Sequence, residues 1–239
     1  MKSLFFIDDI LQDYAVLDAE ESKHCVKVMR MGLGDTVWVT DGKGTLCRCE
    51  ISNSDSRACE LRIVERWSDY HQRPFRLHIA VAPTKNTARI EWFIEKAVEI
   101  GIDEITPIVC DHSERCQLKA DRLEKIVISA MKQSLKAYKP VVHPPVRLKE
   151  FLATLSHENT NERRLICYCD GDERVGIASR YKAGEDVVVL IGPEGDFSTQ
   201  EISAALDGGF QPITLGTCRL RTETAALYAV TALNFINCQ

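Results

Sequence analysis

Two glycine-marked turns near the carboxyl end of the chain carry the residue types best suited to binding a ligand. Their sequences are LIGPEG at residues 190–195 and LGTCRLRTET at residues 215–224. Glycine lets the backbone approach a ligand closely, and α/β proteins bind ligands at the carboxyl ends of their strands. Spacing alone is equally compatible with two ordinary strand-to-helix turns, so the surrounding elements must support any functional interpretation.

From about residue 73 the sequence alternates between strands and helices, the arrangement that positions such turns. Near-continuous apolar runs at residues 76–82, 105–109, 164–169 and 186–191 predict parallel strands covered on both faces. Helices are predicted up to Gly101, over residues 121–138, from the capping box STQE at 198–201 to Gly208, and over about 222–237. This alternation predicts an α/β domain with a mainly parallel sheet. The phosphate-binding patterns GxGxxG after the first strand and GxxxxGK[ST] are absent.

Residues 1 to about 72 show a β-rich pattern instead. An Asp41-Gly42 turn between alternating runs predicts a hairpin, and such short strands close most readily into a small barrel or curled sheet. A short helix, HCVKVMRMG at residues 24–32, precedes the hairpin. The polar segment WSDYHQRP at residues 67–74 has the composition of a linker, so we place a domain boundary near residue 72.

The composition is that of a globular protein and argues against a membrane protein. Hydrophobic residues make up 45% of the 239-residue chain, and no apolar run approaches the roughly 20 residues that span a bilayer. The amino-terminal sequence lacks the shape of a signal peptide, because its apolar patch is short and acidic residues follow at once. We therefore expect a cytoplasmic protein without a membrane partner.

Ten cysteines are scattered along the chain without the spacing of a disulfide framework or a zinc site. The segment CDHSERC at residues 110–116 lacks the paired clips that zinc sites usually show. We expect reduced, mostly structural thiols and predict no metal site.

Basic residues are concentrated between residues 115 and 149, although the net charge of the chain is −5. Nine lysines and arginines lie in this interval against two acidic residues. Such a local excess predicts a surface that contacts phosphates, and an ordinary solvated helix face is the competing interpretation.

The two turns, with Phe197-Ser198 after the first, resemble motifs of the RsmE family of ribosomal RNA methyltransferases in the SPOUT superfamily. The resemblance extends to EKAVEIG at residues 95–101, ITP at 105–107 and SERC at 113–116. Residues 24–32 and the predicted hairpin are similar to the PUA-like barrel at the amino end of the family.

The resemblance implies a PUA-like, RNA-binding β-barrel at residues 1–72 and a SPOUT methyltransferase domain at residues 73–239, with a carboxyl-terminal trefoil knot. It further implies a homodimer that uses S-adenosylmethionine to methylate N3 of a uridine in 16S rRNA, with the assembled small ribosomal subunit as the expected substrate. The knot follows from the resemblance alone, because true knots are rare among protein topologies. The alternatives are a SPOUT methyltransferase with another RNA target and a non-catalytic RNA-binding assembly factor.

The resemblance also assigns a role to each turn. Backbone groups on glycine loops, with apolar walls, suit a sulfonium and an adenine. Glu194 and Thr222 are expected to order the loops through hydrogen bonds. The implied cofactor-binding residues are Leu190, Gly192, Glu194, Gly195, Leu215, Gly216, Leu220 and Thr222.

Arg221 and Glu223 are the expected catalytic residues. Methylation needs a deprotonated uracil N3, whose negative charge spreads to the carbonyl oxygens, and a preorganised guanidinium matches that charge. Arg221 is assigned this task, and pairing with Glu223 or a phosphate is its alternative role. Glu223 is a candidate proton acceptor, although an acid at a helix start more often interacts with the helix dipole.

The expected RNA contacts come from both domains, at Lys27, Arg30, Lys85, Arg115, Lys132 and Lys136. Two features depart from the family pattern. Asp196 stands where glycine is usual, and Lys132 and Lys136 stand in a segment where an acidic residue and an arginine are more typical.

Overall fold

The computed structural model describes residues 3–114, 117–155, 161–169 and 174–238. Its contacts divide the chain into two compact units. Unit 1 is Met1–Arg73 with Ile128–Lys139, and unit 2 is Pro74–Val127 with Pro140–Gln239. Residues 128–139, expected in the second domain, therefore group with the first unit, and the boundary near residue 72 stays a prediction.

Unit 1 is built on a five-stranded sheet with the order β1-β3-β4-β5-β2. The strands are β1 (Leu4–Phe6), β2 (Tyr14–Val16), β3 (Thr36–Thr40), β4 (Leu46–Asn53) and β5 (Glu60–Trp67). The predicted hairpin between β3 and β4 is confirmed, with antiparallel pairing of Val39 with Cys47. Asp41 forms the turn by accepting the Lys43 backbone N–H at 2.8 Å.

The helical segment predicted at residues 24–32 begins and ends earlier, at Ala19 and Val28. Helix α1 (Ala19–Lys23) is followed by a π-helical turn at His24–Val28. Asp18 caps α1 by accepting the Glu21 backbone N–H at 2.7 Å, which explains the earlier start.

Unit 2 carries an eight-stranded sheet with the order β11-β13-β10-β12-β6-β7-β8, in which β9 also pairs with β7. All pairings among its described strands are parallel, as the sequence predicted. The strands are β6 (Leu77–Val81), β7 (Glu104–Val109), β8 (Val141–Val142), β9 (Val146–Arg147), β10 (Glu162–Cys167), β11 (Val175–Gly176), β12 (Asp186–Ile191) and β13 (Gln211–Thr214). The remaining helices are α2 (Thr87–Ile100), α3 (Ala120–Gln133), α4 (Leu148–Thr154), α5 (Thr199–Asp207) and α6 (Thr222–Asn237).

The prediction that α3 continues to Tyr138 is wrong, because the helix ends at Gln133. Leu135 adopts a left-handed backbone conformation with φ +58°. Residues 137–139 then pair with the hairpin turn of unit 1, where the Gly44 N–H donates to the Ala137 carbonyl at 2.9 Å and the Lys139 N–H to the Gly42 carbonyl at 2.8 Å. The left-handed residue interrupts the helical geometry, and these bonds hold the residues after it against the hairpin turn.

No helix in the described part of the chain is long and apolar enough to cross a bilayer.

Candidate cofactor and catalytic site

The two glycine-marked turns lie at the same edge of the unit 2 sheet. The first follows β12 and the second follows β13, and both strands pair in parallel with β10. Carboxyl ends of parallel strands meet at one edge of a sheet. The turns are joined directly, because the Thr222 hydroxyl donates to the Gly192 carbonyl oxygen at 3.2 Å.

Arg89, in the first turn of α2, connects the acidic residues of both turns. Its Nη1 lies 3.3 Å from Glu194 Oε1, and its Nε lies 3.8 Å from Glu223 Oε1. Sequence reasoning did not select Arg89. The sequence signal that could have identified Arg89 is its position as a basic residue at the start of the helix after β6. The carboxyl end of β6 lies at the same edge of the sheet as the two turns.

Glu223 is buried, with 6% of the residue exposed. Its second carboxylate oxygen, Oε2, is buried and has no hydrogen-bond partner among the described residues. A buried carboxylate needs compensation, and Arg89 is its ion-pair partner. The sequence alternative in which Arg221 pairs with Glu223 is not what the structure shows.

The glycines of the first turn allow close packing within the protein. A Cβ on Gly195 would lie 3.1 Å from the Cβ of His112, and one on Gly192 would lie 3.0 Å from the Phe197 ring. His112 Nδ1 is 3.1 Å from the Gly195 carbonyl oxygen and 3.0 Å from that of Asp196. The shape of this turn is therefore set by internal contacts.

Asp196 has a structural explanation for standing where glycine is usual in the family. Its φ is +62°, a left-handed conformation that aspartate tolerates better than most residues. Its Oδ2 accepts the Cys169 backbone N–H at 2.7 Å, which ties the turn to the chain that follows β10. The added carboxylate is thus engaged with the backbone.

The second turn is more open than the first. Gly216 has φ +115°, and nothing lies within 4 Å of the position that a Cβ would occupy. Leu215 and Leu220 are partly buried, whereas Leu190 of the first turn is fully buried in the core. The side chain of Leu190 therefore packs in the core beneath the turn and has no exposed surface that could contact a ligand.

Arg221 lies at the amino end of α6, as the residue that caps this helix in an extended conformation. It is exposed, and no ion pair of its guanidinium occurs among the described residues. The structure thus separates the two predicted catalytic residues, with Arg221 exposed at the helix cap and Glu223 buried in the first turn of the helix.

The predicted RNA contacts fall in both units. Lys27 and Arg30 are exposed in unit 1, and Lys85 is exposed in unit 2 with its Nζ 3.8 Å from Glu114. Lys132 and Lys136, in unit 1, are partly buried. Arg115 lies outside the described residues.

Lys132 forms an ion pair with Glu21 and lies 5.9 Å from the centre of the Phe5 ring. Lys132 and Glu21 border a cavity of about 280 Å³. Its lining is Glu20, Glu21, Lys23, His24, Val28 and Lys132. The charge of this lining is mixed, so Lys132 is less available to a phosphate than its position in the basic segment suggested.

Five of the nine described cysteines pack in the core, as expected of structural thiols. They are Cys25, Cys47, Cys49, Cys59 and Cys110, and none of the nine forms a disulfide bond. Burial raises the pKa of Cys25 and Cys49 to about 12, so these thiols stay protonated and unreactive at neutral pH.

Alkylation of the native protein is expected to modify the exposed Cys169, Cys218 and Cys238. If the second turn binds S-adenosylmethionine, adding it will slow the labelling of Cys218, because this thiol lies between Gly216 and Leu220. Cys238, beyond the end of α6, serves as the internal control, and mass spectrometry of tryptic peptides gives both rates. Equal Cys218 rates with and without the cofactor would count against binding at this turn.

Family models and known proteins match the chain over nearly its whole length. Residues 71–234 match the RNA methyltransferase domain model, and residues 17–64 match the RNA methyltransferase PUA domain model. Ribosomal RNA small subunit methyltransferase E of Mycobacterium bovis is 28% identical, over 99% of this chain and 93% of that protein.

Two solved structures have the same fold. One is described as a probable rRNA-methyltransferase from Porphyromonas gingivalis, with 42% identity and a TM-score of 0.91 over 99% of this chain and 98% of that one. The other is ribosomal RNA small subunit methyltransferase E from Neisseria gonorrhoeae bound to S-adenosylmethionine. It is 26% identical, with a TM-score of 0.85 over 98% of this chain and 97% of that one.

Proposed function

Because this chain belongs to the RsmE family of ribosomal RNA methyltransferases, we propose that it methylates N3 of a uridine in 16S rRNA with S-adenosylmethionine as the methyl donor. One observation carries the proposal. The two motif turns lie at one edge of the parallel sheet and are joined by Thr222 and Arg89, with the exposed guanidinium of Arg221 beside them.

The residues present fit the cofactor. Gly216 leaves open space at the second turn, and buried Oε2 of Glu223 is an acceptor without a hydrogen-bond partner among the described residues. Backbone groups of Gly192, Gly195, Leu215 and Gly216, with Leu220 as an apolar wall, would hold an adenosine and a methionine moiety. When bound, S-adenosylmethionine supplies an electrophilic methyl group on a sulfonium.

Arg221 stabilises the charge that develops on the uracil. Once N3 has lost its proton, negative charge is shared with the two neighbouring carbonyl oxygens, and N3 becomes a competent nucleophile. A guanidinium has several donors in a fixed plane and keeps its positive charge at neutral pH. Its exposure at the mouth of the site leaves it available to a base presented by RNA.

Glu223 acts mainly by positioning the site. It is buried, and its ion pair with Arg89 links α6 to α2, while Arg89 also contacts Glu194 of the first turn. The catalytic role assigned to Glu223 from the sequence stays a prediction, and so do the remaining cofactor and RNA contacts.

The finer architectural proposals rest on the family resemblance. They are the PUA-like β-barrel at residues 1–72, the SPOUT domain at residues 73–239 with its trefoil knot, a cytoplasmic location and a homodimer. Exposed aromatic side chains on two helices that pack together support the homodimer. They are Trp92 on α2 and Tyr228 and Phe235 on α6, with 44%, 49% and 64% of each residue exposed.

The substrate is proposed to be the assembled small subunit. A folded ribonucleoprotein surface presents fewer bare phosphates than free RNA and suits a protein with net charge −5. The alternatives remain another RNA target and a non-catalytic assembly factor. The two joined turns and the buried Oε2 of Glu223, which has no hydrogen-bond partner among the described residues, favour an enzyme, because a non-catalytic assembly factor needs no site for a methyl donor.

Deletion of the gene is expected to remove one reverse-transcription stop in 16S rRNA, because methylation of N3 blocks the Watson–Crick edge of uridine. Primer extension on rRNA from the deletion strain, and from strains carrying the wild-type or the Arg221→Ala gene, measures this. Only the wild-type gene should restore the stop. A stop that persists in the deletion strain would refute the assignment, and a stop in another RNA would identify a different target.

A further inference from the structure

A second group of chemically capable side chains lies at the opposite end of the unit 2 sheet. His78 is on β6, Glu104 is the first residue of β7, and His143 follows β8 directly. In the parallel register His78 pairs with Glu104 and Glu104 pairs with Val141. Because side chains alternate along a strand, His143 falls on the same face as Val141, and all three side chains share one face. The site lies near the amino ends of the strands, away from the two turns.

The donor atoms of the three side chains converge. His143 Nε2 lies 2.8 Å and His78 Nδ1 lies 3.9 Å from Glu104 Oε2, and the three donor atoms lie within 4.8 Å of one another. Around a tetrahedral zinc ion with ligands at about 2 Å, donor atoms are separated by about 3.3 Å. Shifts of a few tenths of an ångström to about 1 Å in the half-exposed His143 and in the Glu104 carboxylate, which must move toward His78, would reach that geometry.

His78 is held as a metal-binding histidine usually is. Its Nε2 lies 2.7 Å from the Thr106 hydroxyl, which fixes one ring nitrogen in a hydrogen bond. The other nitrogen, Nδ1, faces Glu104 and is buried without a hydrogen-bond partner among the described residues. Histidines that bind metals commonly hydrogen-bond through the second ring nitrogen in this way.

The ion pairs around the cluster leave one carboxylate oxygen of Glu104 facing the histidines. Arg76 donates through Nε to Glu104 Oε1, so Oε2 is the oxygen directed to the histidines. Arg76 also lies 3.6 Å from Glu162, and its backbone N–H donates to Asp186. Arg164 lies 3.3 Å from the other oxygen of Glu162, so Glu162 has a second cation, whereas Oε2 of Glu104 faces the two histidines and is the oxygen open to a metal ion.

We propose that His78, Glu104 and His143 bind a divalent transition-metal ion such as Zn²⁺, through Nδ1, Oε2 and Nε2 respectively, with water as the fourth ligand. Two nitrogens and one carboxylate oxygen are ligands that zinc accepts. The ion would join β6 and β7 to the segment after β8, a strand of only two residues. Its role is to stabilise unit 2, since the cluster is remote from the methyl-transfer site.

Zinc titration of untagged, full-length protein, first stripped with a chelator, tests the site. Added Zn²⁺ should raise the melting temperature, because it binds the folded chain. His143→Ala should weaken Zn²⁺ binding at least about 10-fold, and Thr106→Val, which removes only the hydroxyl that orients His78, by about 10- to 100-fold. His71→Ala, a histidine of unit 1, is the matched control and should bind like the wild type.

Cobalt spectroscopy separates this site from adventitious binding to thiols. Co²⁺ should give a spectrum of nitrogen and oxygen ligation that is lost in His143→Ala and unchanged after cysteine alkylation. The proposal is overturned if Zn²⁺ leaves the melting temperature unchanged, if His143→Ala binds as well as His71→Ala, or if the spectrum shows thiolate ligation. In the first case the cluster is an ordinary hydrogen-bonded pair of Glu104 and His143.

Discussion

Replacing Arg221 by alanine is expected to lower the rate constant of methyl transfer by about 10²- to 10³-fold, the cost typical of removing one preorganised donor to a developing negative charge. Affinity for S-adenosylmethionine should stay unchanged, because the turn that carries Arg221 is held by Thr222 and not by the guanidinium. Single-turnover transfer of a labelled methyl group to small subunits gives the rate. Calorimetry with the cofactor alone gives the affinity.

Arg219→Ala is the matched control for this experiment. Arg219 is an exposed arginine of the same turn, two positions before Arg221, and its loss removes the same charge from the same surface. If Arg219→Ala slows transfer as much as Arg221→Ala, the effect comes from general attraction of RNA. That result, or a wild-type rate in Arg221→Ala, would remove Arg221 from the chemistry.

The elements that the sequence predicted well are those whose signals are local. Helix α6 was predicted from about Thr222 to Asn237 and has those bounds. The capping box at the start of α5 is confirmed, with the Ser198 N–H donating to Glu201 and the Glu201 N–H to the Ser198 hydroxyl. Caps and apolar periodicity lie within one or two helical turns, so neighbouring residues are enough to reveal them.

What the sequence could not show depends on pairing between distant segments. Helix α3 has a favourable pattern beyond Gln133, yet the backbone of residues 137–139 binds the hairpin turn of unit 1, nearly 100 positions earlier. The short strands β8, β9 and β11 have two residues each and carry no periodic signal.

The same distinction between local signals and distant pairing applies to the candidate sites. Both turns were predicted, because glycine, proline and polar residues cluster along the chain there. Arg89 was missed, because its link to Glu194 and Glu223 exists only after α2 has packed beside α6. His78, Glu104 and His143 are separated by dozens of residues and converge only in the register of the sheet.

Arg89→Met is expected to lower the free energy of unfolding by about 1–3 kcal/mol, because it leaves the buried carboxylate of Glu223 without its cation. The expected loss of stability is no larger because Arg89 is partly exposed and its Nε lies 3.8 Å from Glu223 Oε1. Cofactor affinity should fall about tenfold, equivalent to ~1.4 kcal/mol, since Arg89 also holds Glu194. Urea denaturation and calorimetry measure the two effects.

The double variant Arg89→Met/Glu223→Gln distinguishes an unpaired charge from lost packing. Glutamine has the shape of glutamate without its charge, so the double variant should recover most of the stability that Arg89→Met loses, a coupling that a double-mutant cycle reports directly.

Glu223→Gln alone tests whether Glu223 accepts the proton. A positioning residue predicts a small change in rate with an unaltered pH profile, whereas a general base predicts a loss of about 10²- to 10⁴-fold. A loss of rate of that size with normal stability would show that Glu223 is a catalytic residue and that Arg89 orients it.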